Sequence, residues 1–385
     1  MWLFVANTLR YDMRDFANQQ NEQIMVYSLL SNLFPTRQLQ NPPKRIVFIR
    51  PCCIGDVVMA TAALSALREL YPEAHITWAV GTWSAQAVTH HPAIDAILDT
   101  GDTDLPVRSV GGVWQFVCQL RAGQYDLAVS LVRSPLMSLA VLLSGIPYRA
   151  GLDSLGRGFG YNIRVPIDPA RSEHESLIYL KVISALAGRP IHAYANILVL
   201  ESARESLHNK LSTDELTTPY IVVHPGGGSN PGMQMDSKRY PIDQLARIVN
   251  PIASEMSAKV IVIGGANDKE RVVGLMDLLD HDAVGLFGSL TFTEIGALAE
   301  AGLLYIGNDT GLTHLASASG AKTVMMMGPT DPKRYAPFTD NHLVLWKPTD
   351  LQTGGVASAD TSTWDWSRDG FTVDYAIEKI RDFIR

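Results

Sequence analysis

Arg45-Ile46-Val47-Phe48-Ile49-Arg50-Pro51-Cys52-Cys53-Ile54-Gly55-Asp56 is the stretch that decides the fold. Its first half is a short apolar run of the kind that forms a parallel strand buried on both faces. Pro51 to Asp56 reads as a turn, and Val57 to Leu70 as a helix stopped by Tyr71-Pro72. Downstream, His75 to Val80 is a strand, and Ser84 to His90 is helical up to His91-Pro92. Ala96-Ile97-Leu98 is a short strand, Val113 to Arg121 a helix and Leu127 to Leu131 a strand. A second series starts after Leu216-Thr217-Thr218-Pro219. Its strands are Tyr220 to His224, Lys259 to Ile263, Leu286-Phe287, Leu303 to Gly307 and Thr323 to Met327. Its helices are Asp243 to Met256, Glu270 to Leu279, Thr293 to Glu300 and Gly311 to Ser319. Strands alternating with helices predict α/β architecture with doubly wound parallel sheets. The two series are joined through Glu173 to Thr218, and a last helix, Val373 to Ile384, follows a polar loop from Asp350 to Asp369.

Composition narrows the function classes. The 385 residues are 46% hydrophobic and 18% charged, enough apolar material for more than one core, and the length favours two domains. The net charge is −7 and the pI about 5.8, which speaks against a general nucleic-acid binder. Any anionic ligand must then be held by a local site. Cys52, Cys53 and Cys118 form no C-x-x-C pair and read as reduced thiols of a cytosolic protein. The longest apolar stretch, Leu136 to Ile146, is too short to span a bilayer. The first residues lack the basic start of a secretory signal. Residues 1–40 read as helical, either packed on the protein or touching a membrane surface.

Three loops at strand ends carry the chemistry. Gly55 permits a tight turn, and Asp56 sits at the carboxyl edge of a parallel sheet, where open α/β sheets bind ligands. There it can act as a helix N-cap or, ionised, as an acceptor of a hydroxyl proton. His224-Pro225-Gly226-Gly227-Gly228-Ser229 ends a strand in a glycine run whose amides can form an anion nest or simply a turn. It is neither a Walker A loop nor a dinucleotide fingerprint. Lys238-Arg239-Tyr240-Pro241 follows, within reach of a phosphate or merely solvated. Gly307-Asn308-Asp309-Thr310-Gly311-Leu312-Thr313-His314 leaves a strand and opens a helix, presenting unpaired amides to an anion. Asp102-Thr103-Asp104 reads as a solvated turn rather than a metal motif. No metal cluster and no Ser/His/Asp triad signature is present.

From about Lys44 to Arg385 the chain resembles the family 9 glycosyltransferases, the ADP-heptose:lipopolysaccharide heptosyltransferase family. The motifs are Ile54-Gly55-Asp56-Val57 with Thr61, Gly156-Arg157-Gly158-Phe159 with His174, His224-Pro225-Gly226 and Lys238-Arg239-Tyr240-Pro241. They continue with Asn308 to His314 and Gly328-Pro329-Thr330-Asp331-Pro332. The resemblance implies a GT-B fold: two Rossmann-like domains facing a central cleft, with the C-terminal helix crossing back to the first. Residues 1–43 precede the resemblance and read as an N-terminal helical extension; the resemblance implies an acceptor-side domain over 44–200 and an interdomain linker over 201–218. A donor-binding domain over 219–348 and a C-terminal loop and crossover helix over 349–385 complete the division.

The activity implied is inverting, metal-independent and cofactor-free transfer of a heptose from a nucleotide sugar, ADP-heptose, to a glycan or lipid-linked glycan such as lipopolysaccharide core. Asp56 matches the family's general base. Gly226, Gly227, Ser229, Lys238, Glu270, Asp309, Thr310, Gly311, Leu312 and His314 match donor-binding positions. Arg133, Arg149 and Arg157 are candidates to hold an anionic acceptor. Cysteine usage and the start of the sequence point to a cytoplasmic protein; the inner face of the membrane, contacted through residues 1–40, is one option, and packing of those residues on their own domain or a second subunit is the other. Cys52-Cys53 departs from the family, which often carries a charged or polar residue there, and Ser229 to Ser237 is longer than usual. A sugar-nucleotide 2-epimerase and a non-catalytic nucleotide-sugar-binding protein remain the alternatives.

Overall fold

The computed structural model describes residues 27, 29–103, 105–211, 216, 218–230, 233–280, 282–348 and 363–385. The expectations for residues 1–26, for Asp104 and for most of the loop from Asp350 lie outside them. The first sheet has six parallel strands: β1 (Arg45–Ile49), β2 (His75–Val80), β3 (Ala96–Asp99), β4 (Leu127–Ser130), β5 (Tyr148–Ser154) and β6 (Ile163–Ile167). Their order is β3-β2-β1-β4-β5-β6. The helices of this half are α1 (Ile54–Leu70), α2 (Thr82–Ala85), α3 (Val110–Ala122), α4 (Pro135–Leu143) and α5 (Glu175–Ala187). Next comes α6 (Glu201–Lys210).

The second sheet repeats the plan. Its strands β7 (Tyr220–His224), β10 (Lys259–Gly264), β11 (Ala283–Phe287), β12 (Leu304–Asn308), β13 (Thr323–Met326) and β14 (His342–Leu345) run β11-β10-β7-β12-β13-β14, all parallel. A two-stranded antiparallel pair, β8 (Ser229–Asn230) and β9 (Met233–Gln234), lies in the loop after β7. The helices are α7 (Ile242–Glu255), α8 (Lys269–Met276), α9 (Phe292–Ala301), α10 (Gly311–Ala318), α11 (Pro332–Tyr335), α12 (Trp366–Asp369) and α13 (Val373–Ile384). The fold is the α/β, two-sheet GT-B architecture.

Strand order locates the crevices. In the first sheet the order reverses between β1 and β4, and in the second between β7 and β12. At such a point neighbouring loops leave in opposite directions and open a gap at the carboxyl edge. The loops there are Arg50–Cys53 after β1, Leu131–Ser134 after β4, the glycine run after β7 and Asp309-Thr310 after β12. Neither half buries its surface alone. The largest core joins β1, α1 and α5 of the first half with α6, α9 and α10 of the second.

The structure corrects three sequence readings. The first helix starts at Ile54 with Cys53 as N-cap, so Asp56 stands in its first turn rather than capping it. Cys52 and Cys53 are joined as a disulfide, because the turn brings their sulfurs together; only Cys118 is a free, exposed thiol. Segment 173–218, which joins the halves, carries α5 and α6. The C-terminal helix does not return to the first half. Val373, Ala376 and Ile380 are buried in the second core with Ile252 and Leu345, and Arg381 Nε pairs with Glu255 Oε2 at 3.0 Å. An amphipathic helix settles where its apolar stripe is covered, and α7 supplies that surface. Strands β5, β6 and β14 were missed because Arg149, Gly151, Asp153 and Pro166 interrupt the apolar pattern and β14 is a short edge.

Candidate functional site

Asp56 lies half-buried in the first turn of α1, where the helix dipole favours a carboxylate. Its Oδ1 is 2.6 Å from Arg50 Nη2 and accepts a hydrogen bond from the Tyr179 hydroxyl at 3.1 Å. Burial works to raise the carboxyl, but the Arg50 charge and hydrogen bond, with those from Tyr179 and the Cys53 amide, outweigh it and hold Asp56 below the usual range. Arg50 is the residue after β1. In the sequence Arg50 stands only as the end of a strand, yet a cation closing a buried apolar strand requires a partner.

Across the crevice, the loop after β7 is shaped by its neighbours. Asn308 Nδ2 donates to the Pro225 and Gly226 carbonyls at 3.0 Å each, Arg271 Nε to Pro225 O at 2.8 Å and Arg239 Nε to Gly227 O at 2.7 Å. A Cβ on Gly226 would fall 2.2 Å from the Asp268 carboxyl carbon, and one on Gly227, whose φ is +99°, 2.0 Å from Thr310 Cγ2. Glycine is required here by both space and backbone. The Gly227 amide is committed to Asp268 Oδ1 at 3.3 Å. Burial raises Asp268, but the His224 imidazole 3.7 Å away and the amide hydrogen bonds from Gly265 and Gly227 hold it at about 2.

Lys238 ends a 3-10 turn (Asp236–Lys238), and its Nζ is 2.7 Å from Asp309 Oδ2. Burial raises Asp309 as well, and Lys238 overcomes it with help from His314 and Thr330. Thr310 is the N-cap of α10, its hydroxyl 3.4 Å from His224 Nδ1. Leu312 is partly buried and packs on the main core. Burial drives His314 down to about 4 against the pull of Asp309 and Asp56, so the imidazole is neutral at pH 7.

These two groups meet. A Cβ on Gly311 would lie 2.7 Å from Ile54 Cβ and 3.1 Å from the Gly55 nitrogen, and one on Gly55 would lie 3.1 Å from His314 Cδ2. The amino ends of α1 and α10 therefore abut, with Asp56 on one and the Asp309–Lys238 pair beside the other. Two helix N-termini and a lysine gather positive potential for an anion.

Other sequence candidates are placed as follows. Arg133 Nη2 is 2.5 Å from Glu175 Oε2, whose other oxygen is 2.9 Å from Arg334 Nη2. Glu175, Tyr179 and Arg334 are thus part of the cluster, though sequence reading gave none of them a role. Arg149 is at the amino end of β5, the edge opposite Asp56, with Nε on Gly160 O at 2.8 Å and Nη1 on Ile146 O at 2.7 Å. Its donors hold backbone, which removes it from the acceptor candidates. Arg157 lies in the turn beyond β5, its carbonyl accepting Ser138 Oγ at 2.8 Å. Glu270 is exposed in the first turn of α8, and Ser229 opens β8. Among the described residues, no group of three or more His, Cys, Asp or Glu side chains is arranged to hold a metal ion, and no helix is long and apolar enough to cross a membrane.

Comparison with known proteins gives the fold and the family. Lipopolysaccharide heptosyltransferase 3 of Escherichia coli (strain K12) is 21% identical over 299 residues, 76% of this chain and 85% of the relative. Lipopolysaccharide heptosyltransferase 2 of the same strain is 25% identical over 319 residues, 78% of this chain and 87% of the relative. Among solved structures, a glycosyl transferase family 9 protein from Veillonella parvula matches with a TM-score of 0.72 at 21% identity, covering 89% of this chain and 97% of that one. The E. coli heptosyltransferase WaaC with ADP matches at 0.64 and 17% identity, covering 88% and 99%. The model of glycosyltransferase family 9 (heptosyltransferase) matches residues 113–355. The chain belongs to that family and is a glycosyltransferase.

Proposed function

We propose that this enzyme transfers a heptose from ADP-heptose to a hydroxyl of a lipopolysaccharide-core glycan, with inversion at the anomeric carbon. The observation that carries it is the juxtaposition of Asp56, on the first half, with the Lys238–Asp309 pair and the α10 amino end, on the second. The relatives' activity as lipopolysaccharide heptosyltransferases supports the choice of sugar and acceptor.

The acceptor oxygen attacks the anomeric carbon as its proton passes to Asp56. The bond from that carbon to the diphosphate oxygen breaks, and the electron pair leaves with the diphosphate. Lys238 and the α10 amides oppose that growing charge, so the donor shares or displaces the contact Lys238 makes with Asp309. These fixed donors do the work a metal ion would otherwise do, and no cofactor is needed. Gly226 and Gly227 let Asp268 and Thr310 pack close against this loop, and Ser229, Glu270, Thr310, Gly311, Leu312 and His314 are the donor-binding positions of the second half. Arg133, held by Glu175, is the acceptor-side candidate that belongs to the same charged cluster as Arg50. A charged nucleotide sugar as donor and a lipid-linked acceptor set the reaction in the cytoplasm, at the inner face of its membrane.

The test is mass spectrometry of lipopolysaccharide-core acceptors incubated with ADP-heptose, with GDP-, UDP- and dTDP-sugars as competing donors. Asp56→Asn is expected to bind donor normally and to lose about 10²–10⁴-fold in turnover, the span of general-base catalysis. Near-normal turnover would remove Asp56 as the base. Conversion of the nucleotide sugar with no acceptor present would instead indicate an epimerase.

A further inference from the structure

Arg50 has its own built setting. Its backbone is fixed on both sides: Arg50 N donates to Ala79 O at 3.2 Å, and Trp78 Nε1 donates to Arg50 O at 3.3 Å. The guanidinium carbon lies 5.3 Å from the centre of the Tyr179 ring, Nη1 donates to Leu131 O at 3.3 Å, and Nη2 reaches Asp56. Tyr179 closes the triangle by donating its hydroxyl to the same Asp56 oxygen. So the loop after β4, α5 and α1 each fix one side of a single, largely buried cation. A side chain held this way is pre-organised, and arginine supplies the planar stacking face that lysine lacks.

We propose that Arg50 is a positioning residue for this transferase: laid on Tyr179 and tethered to Leu131, it holds the Asp56 carboxylate in place as the proton acceptor. The proposal rests on the reading of Asp56 as the base. A buried carboxylate without a cation protonates more readily, and a protonated base cannot take the acceptor proton. With Arg50 gone, Asp56 must stay protonated to higher pH, and the acid limb of the rate profile must follow.

Other groups facing Asp56 leave that reading clean. Tyr179 from α5, His314 from α10 and Tyr335 from α11 face Asp56 itself, while Glu175 from α5 and Arg133 beyond β4 face Arg50. His314 is held at about 4, and burial pushes both tyrosines up, so none of these three changes charge across roughly pH 5 to 8. Glu175 keeps its two arginine partners.

The experiment compares wild type with Arg50→Gln, Arg50→Lys and Tyr179→Phe. It reads the pH profile of kcat/KM, the carbon-13 titration of the Asp56 carboxyl (assigned with Asp56→Asn) and donor affinity. Arg50→Gln is expected to move both midpoints upward by about one pH unit or more, with donor affinity unchanged. Arg50→Lys should bring them most of the way back, because it restores the charge. Tyr179→Phe should move them a smaller distance in the same direction, and it carries the test if Arg50→Gln does not fold. An unmoved carboxyl midpoint in the folded variants, or a uniform loss of rate at every pH, overturns the proposal. If Asp56→Asn keeps turnover, the base reading itself has failed, and the carbon-13 midpoint still shows whether Arg50 governs that carboxylate.

Discussion

Replacing Gly311 by alanine tests whether the two helix ends must touch. The added methyl would lie 2.7 Å from both Cβ and Cγ2 of Ile54 and 3.1 Å from the Gly55 nitrogen. Carbon atoms in contact sit about 3.5–4.0 Å apart, so the overlap is roughly 1 Å. Two of the three atoms belong to Ile54 next to its backbone, and the third is backbone, so no flexible side chain can swing away. If the helices stay in place, overpacking costs about 1–3 kcal/mol. If they part by about 1 Å, Asp56 moves away from the donor-side groups, and misplacement of that size can cost on the order of 10² in rate. Gly111, in α3, is the control: a methyl added there would meet nothing within 4 Å, and alanine should be neutral or stabilising by about 0.5–1 kcal/mol. Transfer rate, donor affinity and thermal melting would be measured for both variants. The expected result is a large loss of turnover or melting temperature for Gly311→Ala and neither loss for Gly111→Ala. Wild-type turnover and melting in Gly311→Ala would refute the direct contact of α1 with α10.

Two further outcomes follow from the charges. Lys238→Met should weaken donor binding and also destabilise the protein, because it leaves Asp309 buried without its cation, a loss of about 3–5 kcal/mol at neutral pH. Asp309 then protonates more readily than in the unfolded chain, so urea unfolding should show the deficit shrinking as pH falls; a deficit independent of pH would contradict this account. His314, at about 4 when folded against about 6.5 unfolded, contributes stability that is fully present above 6.5 and lost as pH falls toward 4. The size is about 3 kcal/mol, and His314→Gln should flatten that part of the stability–pH curve; an unchanged slope would show that the imidazole is not held neutral.

Much of the site was legible because it depends on local signals. Asp56, Gly226-Gly227 and Asp309-Thr310 each follow a strand, and alternation of apolar runs with helix periods is enough to put such residues on one edge of a parallel sheet. Strand β1, strand β7 and helix α13 were read at or close to their observed limits for the same reason. Strands β5 and β6 were not, since Gly151, Asp153 and Pro166 break the pattern and only pairing with β4 makes them strands.

The order of elements, the loops with chemical potential and the family are thus properties of the sequence alone. Tertiary structure decided which charges meet. Tyr179 reaches Asp56 across 123 residues and Arg334 reaches Glu175 across 159. It also decided that α13 stays with the second sheet and that Arg149 serves its own backbone. The physical reason is that a buried charge is stable only beside its partner, and at these separations partners are chosen by how helices and loops pack within and between the two halves, which no local pattern records.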